Sequence, residues 1–145
     1  MAELRFVAAT GSDDAALAEW RHVHNTIVAP FPLSLDDVRE RAGRNRLELA
    51  YLGDDAVGNS TVRPPDADGV AVVIARVLPE RRRQGFGTLI HERALAAARA
   101  LDPAAIETVV LLANSEGLAF AERHGYVETE RYTVAGADEV RLRLR

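Results

Sequence analysis

The sequence predicts an α/β fold, with helices layered on one mixed, mostly antiparallel sheet, and three observations carry that reading. A nearly continuous β-branched run at 70–78 is followed by an alanine-rich helical stretch and a second apolar run at 106–113, an order that makes the two strands parallel. On either side, alternating runs within 47–63 and 126–144 are broken by short turn-forming segments and read as antiparallel hairpins. The 145 residues, 48% hydrophobic and 28% charged, amount to one domain over 1–145, since domains cluster near about 100–150 residues.

Taken in order, Leu4, Phe6 and Ala8 alternate with Glu3 and Arg5, a half-buried strand, and Gly11-Ser12-Asp13 supplies a turn and a helix N-cap. Leu17, Trp20, Val23 and Ile27 then fall at helical spacing until Pro30 and Pro32 stop the pattern. Ser34 offers a second N-cap, with Asp36 and Asp37 suited to the positive end of the helix dipole, and Gly43 is the expected C-terminal stop. Leu47, Leu49 and Tyr51 alternate, Gly53-Asp54-Asp55 turns the chain, and 56–63 returns as the second strand of a hairpin, ended by Pro64-Pro65. After the turn at 66–69, the run 70–78 is buried on both faces, as a central strand should be. Ile90, Ala94, Ala97 and Leu101 form the stripe of a helix over 87–101, closed by Asp102-Pro103. The strand 106–113 follows, then a short helix capped by Asn114-Ser115 and ended by Gly125, then a closing hairpin of 126–134 and 139–144. The count is seven strands and four helices.

Composition excludes several chemistries. With no cysteine there are no disulfides, thiolate zinc sites, iron–sulfur clusters or cysteine nucleophiles, and no metal site is expected. All 18 basic residues are arginine, so a Walker lysine and a Schiff-base lysine are both gone. The apolar runs are far shorter than the ~20 residues of a transmembrane helix, and the charged opening 1–6 lacks a signal-peptide core, so neither membrane insertion nor export is expected and the address is cytoplasmic. Net charge −4 with one dense basic run, 81–83, argues against nucleic acid as a partner.

That basic run sits where chemistry is expected. Arg82-Arg83-Gln84-Gly85-Phe86-Gly87-Thr88 lies where a loop becomes a helix. The first helical turn leaves amide N–H groups without partners, its dipole favours an anion, and glycines at 85 and 87 permit positive φ and close approach to the backbone. Arginines beside those amides add donors suited to phosphate oxygens. The same glycines also suit a mere tight strand-to-helix turn with a solvated arginine patch. A dinucleotide loop fits less well, because the third glycine is missing and the segment lies in mid-chain.

The stretch Val77-Leu78-Pro79-Glu80-Arg81-Arg82-Arg83-Gln84-Gly85-Phe86-Gly87 resembles the acetyl-CoA signature of the GNAT superfamily of N-acetyltransferases, with Arg82, Gly85 and Gly87 at the motif positions. Asn114, Gly117-Leu118-Ala119-Phe120 and His124-Gly125-Tyr126 resemble that family's second segment. The resemblance implies a GNAT-like sheet whose central parallel pair splays apart at its C-terminal ends to admit pantetheine. It implies that amides from Gln84 through Thr88, with Arg83 nearby, hold pyrophosphate, and that backbone groups of Ala75, Arg76 and Val77 pair with pantetheine. Asn114 and Phe120 would line the far side, and Arg123 would reach phosphate; packing alone also accounts for Phe120, and a surface position for Arg123.

The implied reaction is direct transfer of an acetyl group from acetyl-CoA, as co-substrate, to the amine of a small molecule or peptide, with the Val77 N–H as oxyanion donor. Relatives place a tyrosine acid where Ala121 stands; Tyr126 and Tyr132 are the candidates to replace it, each also readable as a half-buried strand residue. His22 and His24 are two apart and point to different faces of their helix, so they share no metal; one of them near the substrate is the candidate base, packing being the simpler account. The loops 28–35 and 64–69 are expected to face the acceptor. The rival reading is a CoA-binding sensor or partner module without catalysis. Residues 132–144, read as edge-forming, are where a homodimer would form.

Overall fold

The computed structural model describes residues 3–145; Met1 and Ala2, which open the segment read for an export signal, lie outside them. Seven strands form one sheet in the order β1-β2-β3-β4-β5-β7-β6. Here β1 is Arg5–Ala8, β2 Arg46–Leu52, β3 Asp55–Arg63, β4 Val70–Val77, β5 Ala105–Leu111, β6 Tyr126–Val134 and β7 Ala137–Leu144. Four helices accompany it: α1 Asp14–Ile27, α2 Leu35–Arg44, α3 Phe86–Arg99 and α4 Ser115–Arg123. Only β4 and β5 run parallel; every other neighbouring pair is antiparallel. The fold class is as the sequence predicts. No described helix is long and apolar enough to cross a membrane.

Helix α1 begins where Asp13 accepts the Ala16 N–H at 3.0 Å, a cap typically worth about 1 kcal/mol. Its stripe of Leu17, Trp20 and Val23 is buried with Val38, Leu47 and Leu49 on one face of the sheet. Helix α2 opens with a capping box, in which Ser34 accepts the Asp37 N–H and Asp37 accepts the Ser34 N–H. Those two hydrogen bonds hold the Asp37 carboxyl below the usual carboxylate range. Gly43 does not end this helix: it lies inside it, and Asn45 leads out at φ −124° and ψ 157° straight into β2. An extended exit makes no left-handed turn and needs no glycine.

The stripe of α3 also differs from the one expected. Ile90, His91, Ala94 and Ala98 are buried, and the helix stops at Arg99, leaving Leu101 49% exposed beyond it. The chain must reverse there to enter β5, and Asp102 takes φ 54° to do so. At the other end of the sheet, β7 inserts between β5 and β6. The segment read as edge-forming is therefore an edge only in β6; β7 is interior. Buried Glu107 of β5 explains the preference, accepting from Arg141 at 2.8 Å and from Arg143 at 2.9 and 2.8 Å, both on β7. Burial pushes that carboxyl up, but the two guanidiniums outweigh it and hold it below its ordinary range.

The central pair positions the site. β4 and β5 pair only at Val70 with Ala105, Ala71 with Ile106 and Val72 with Glu107, and beyond that point the strands part. On its other edge β4 stays paired with β3 as far as Val77 opposite Gly58.

Candidate active site

Parting the strands leaves backbone unpaired. The Leu78 N–H reaches the Val57 carbonyl at 2.9 Å, so the backbones of Leu78, Arg76 and Ile74 turn toward β3. By alternation, those of Val77, Ala75 and Val73 turn toward the gap that β5 has vacated. A strand edge turned inward needs partners, and here β5 supplies none beyond Val72, while Arg82 meets the Val77 carbonyl. Of the three residues expected to pair with pantetheine, Ala75 and Val77 have backbone aimed at the gap; the Arg76 backbone is committed to β3 opposite Asn59.

The gap opens into a cavity of about 760 Å3 lined from both faces of the sheet. On one face stand Gly85, Gly87 and Thr88 of the α3 entry, with Asn114 and Phe120; on the other stand His24, Phe31, Arg41, Arg63 and Arg76. Gly85 caps α3 at φ 82° and offers no side chain to the first-turn amides. Arg83, two residues earlier, is also left-handed at φ 65°, a conformation that costs a non-glycine residue roughly 1–2 kcal/mol. Left-handed residues in such a loop turn successive N–H groups into one concavity, which is how a backbone holds an anion. Gly87 works differently: it is helical, and a Cβ there would stand 3.0 Å from the Phe120 ring and 3.6 Å from Val77. Its hydrogen keeps that wall open, where positive φ was expected.

The remaining expected residues divide. Arg82 is a cross-link, donating from Nε to the Val77 carbonyl and from Nη1 to Glu116, 3.1 Å in each case. It ties the end of β4 to the start of α4 across the gap. Arg83 and Gln84 are exposed on the loop, and Arg123 is exposed at the cavity rim. The Phe86 side chain is core, packed with Ala50, Val57 and Ile90. Thr88 donates to His124 Nε2 at 3.2 Å, because His124 Nδ1 already donates to the Phe120 carbonyl at 2.9 Å. Asn114 caps α4, accepting the Gly117 N–H at 3.0 Å. Phe120 stacks on His124 at 4.0 Å and lines the cavity, so packing and wall are one role.

The two tyrosines part company. Tyr126 is buried, lines the cavity, and bonds His91 Nε2 at 2.9 Å. Burial pushes its phenol up to about 12. Tyr132 stands on β6 opposite Glu139 and is not among the residues lining the cavity. Of the two loops expected to face the acceptor, 28–35 contributes Val28 and Phe31, while 64–69 contributes none. The latter joins β4 at its N-terminal end, and the gap opens at the other.

His24 was legible only as one of two helical histidines. The Asn25 amide is oriented by Leu33, whose N–H it accepts at 2.9 Å and whose carbonyl it donates to at 3.0 Å. Its oxygen therefore faces His24 Nδ1 at 3.0 Å, so Nδ1 carries the proton and Nε2 the lone pair. Burial, then the charge of Arg76, pulls this imidazole down to about 4, neutral at pH 7. Arg41, Arg63 and Glu139 also line the cavity. They come from α2, β3 and β7, far apart in the chain, and no local spacing announces that.

No curated protein gives a significant sequence match. Similar solved structures include the ribosomal-protein-S18-alanine N-acetyltransferase from Escherichia coli, with TM-score 0.77 and 18% identity over 98% of this chain and 93% of that one. An acetyltransferase from Thermus thermophilus gives TM-score 0.72 and 20% identity over 99% and 100% of the two chains. A GNAT family acetyltransferase from Elizabethkingia anophelis with acetyl-CoA bound gives TM-score 0.71 and 13% identity over 98% and 97%. These likenesses are of fold. The family model described as Acetyltransferase (GNAT) family matches residues 14–126, from the first helix to the residue that opens β6, and by that match the chain belongs to the GNAT family.

Proposed function

We propose that the protein is an N-acetyltransferase that uses acetyl-CoA and transfers its acetyl group to a primary amine by direct attack. The observation that carries this reading is the unpaired edge of β4 facing a gap whose mouth is ringed by first-turn amides of α3. The residues fit the coenzyme: amides at 84–88 with Arg83 and Arg123 for its phosphates, and backbone of Ala75 and Val77 for its amide-rich arm. An acetyl-CoA-bound neighbour of the same fold supports the choice of donor. When bound, acetyl-CoA supplies an activated thioester carbonyl.

The chain's own groups then divide the work. The Val77 N–H faces the gap, and a fixed amide stabilises charge on an oxygen without reorganising. The amine enters from the α1 and α2 side, where His24 Nε2 offers a lone pair at neutral pH. With a pKa of about 4 that nitrogen accepts a hydrogen bond from the amine and orients it rather than keeping its proton. Overall the C–N bond forms, the C–S bond breaks, and the nitrogen's proton ends on the thiol or solvent. A thiol pKa of about 8.5 lets sulfur leave as thiolate, and Tyr126, held at about 12, keeps its proton and can only hydrogen-bond to it.

The test is thiol release from acetyl-CoA across a panel of amines, alongside the coenzyme-dependent shift in Tm. The reading expects both. A Tm shift with no amine-dependent thiol release would leave a coenzyme-binding module in its place.

A further inference from the structure

The acceptor end of the cavity gathers three cations against a single carboxylate, Glu139. Arg41 from α2, Arg63 from β3 and Arg76 from β4 all line it, and among the described residues none of the three is in an ion pair. Of the nearby carboxylates, Glu40 pairs with Arg44, Glu107 pairs with Arg141 and Arg143, and Asp37 is held in the capping box of α2. Glu139 lines the same end, and none of the ion pairs includes it. Arg63 and Arg76 share a face, because Arg63 stands opposite Val72 and Asn59 opposite Arg76 in the same ladder.

Arg76 is held rather than loose. Its guanidinium lies over the Trp20 ring at 5.8 Å and donates to Asn59 Oδ1 at 3.5 Å, while Asn59 Nδ2 donates to the Trp20 carbonyl at 3.2 Å. Burial, then Arg63 and Arg41, pulls its pKa down to about 9, which still leaves it charged at pH 7. Burial also lowers Arg63, with Arg41, Arg141 and Arg44 adding to it, and Glu139 offsets this only in part. Like charges gathered around a cavity and desolvated there destabilise the fold unless an anion joins them.

We propose that these three arginines bind an anionic group of the acceptor, a carboxylate or phosphonate, so that the substrate is a small amine that carries an acid, as amino acids and aminophosphonates do. This rests on the transferase reading for its chemistry. Arg76 lies in the chain between Ala75 and Val77, whose backbones face the coenzyme gap. An acid gripped by its side chain is thus within one small molecule's length of the thioester, with the amine between them. Arginine's planar fork matches either oxyanion with paired hydrogen bonds.

The experiment compares amines in matched forms, free acid, phosphonate and neutral amide, against wild type, Arg63→Gln and Arg76→Gln. The acid or phosphonate is expected to exceed its amide in kcat/KM by about ten- to a hundredfold, the worth of hydrogen bonds to a charged group. Each glutamine variant should erase that preference by raising KM for the acid, while KM for acetyl-CoA and the coenzyme-dependent Tm shift stay as in wild type. Comparing the carboxylate and phosphonate arms identifies which oxyanion the site takes. The acids should also raise the wild-type Tm, and not that of the variants, whether or not turnover occurs. Equal use of acid and amide, a preference that survives both variants, or a peptide α-amine used better than every small acid overturns the proposal. Loss of the coenzyme-dependent Tm shift in wild type contradicts the transferase reading, and the acid-dependent Tm shift still decides the anion site.

Discussion

Replacing Gly87 by valine isolates the coenzyme wall from the rest of the fold. A Cβ at 87 would stand 3.0 Å from Phe120 Cε2 and 3.6 Å from Val77 Cγ2, so alanine displaces the ring by a few tenths of an ångström and the branched valine displaces it further, into the gap. The apo protein loses little, because alanine gains roughly 0.5–1 kcal/mol over glycine in a helix, and β-branched valine a smaller part of that, which offsets some of the crowding. Coenzyme at a hundred times its Kd stabilises wild type by about 2.7 kcal/mol. At about 3–4 °C per kcal/mol for a domain of this size, wild type should gain about 8–11 °C. Thermal melts with and without CoA should show Gly87→Val melting within a few degrees of wild type, with most of the coenzyme shift gone and Gly87→Ala between them. A full shift in Gly87→Val would refute the placement of the coenzyme beside Phe120.

Other outcomes follow from the same geometry. Arg82→Ala cuts the link between the Val77 carbonyl and Glu116; calorimetry should find CoA bound about tenfold more weakly, with Tm nearly unchanged because a half-exposed pair contributes only about 0–1 kcal/mol. Tyr126→Phe leaves His91 Nε2 without its partner beside a buried Nδ1 that already lacks one. Denaturant titration should show a loss of about 1–3 kcal/mol, and the pH profile of kcat should keep its shape; a lost alkaline limb would make Tyr126 a proton donor after all. His24 and His91 are both pulled from the ordinary value near 6.5 down to about 4, chiefly by burial. Between those values the unfolded chain binds protons that the native chain refuses, so stability is full above pH 6.5 and falls as pH drops toward 4. Tm measured across that window should decline, and less steeply in His24→Gln; a flat profile would contradict the burial of both rings.

Much of this architecture can be read from local pattern, because local chemistry decides it. Asp13, Ser34 and Asn114 cap the helices as expected, since each side chain needs only an amide three residues on. The misreadings came where distant structure overrides local preference. Gly43 is a good stop in isolation, yet the chain leaves α2 extended, and the α3 stripe ends early because β5 must return beside β4. The insertion of β7 beside β5 depends on Glu107 meeting Arg141 and Arg143, more than thirty residues away. The coenzyme side of the site was legible because it is one contiguous loop, 82–88. The acceptor side was not, because Arg41, Arg63 and Arg76 come from a helix and two strands and carry no common spacing.

The most direct test of the central claim is a calorimetric titration of the protein with CoA. One molecule bound per chain, with the affinity lost in Gly87→Val, is the result that an open edge of β4 and an uncapped α3 predict. No heat at millimolar coenzyme, or binding that Gly87→Val leaves intact, would contradict it.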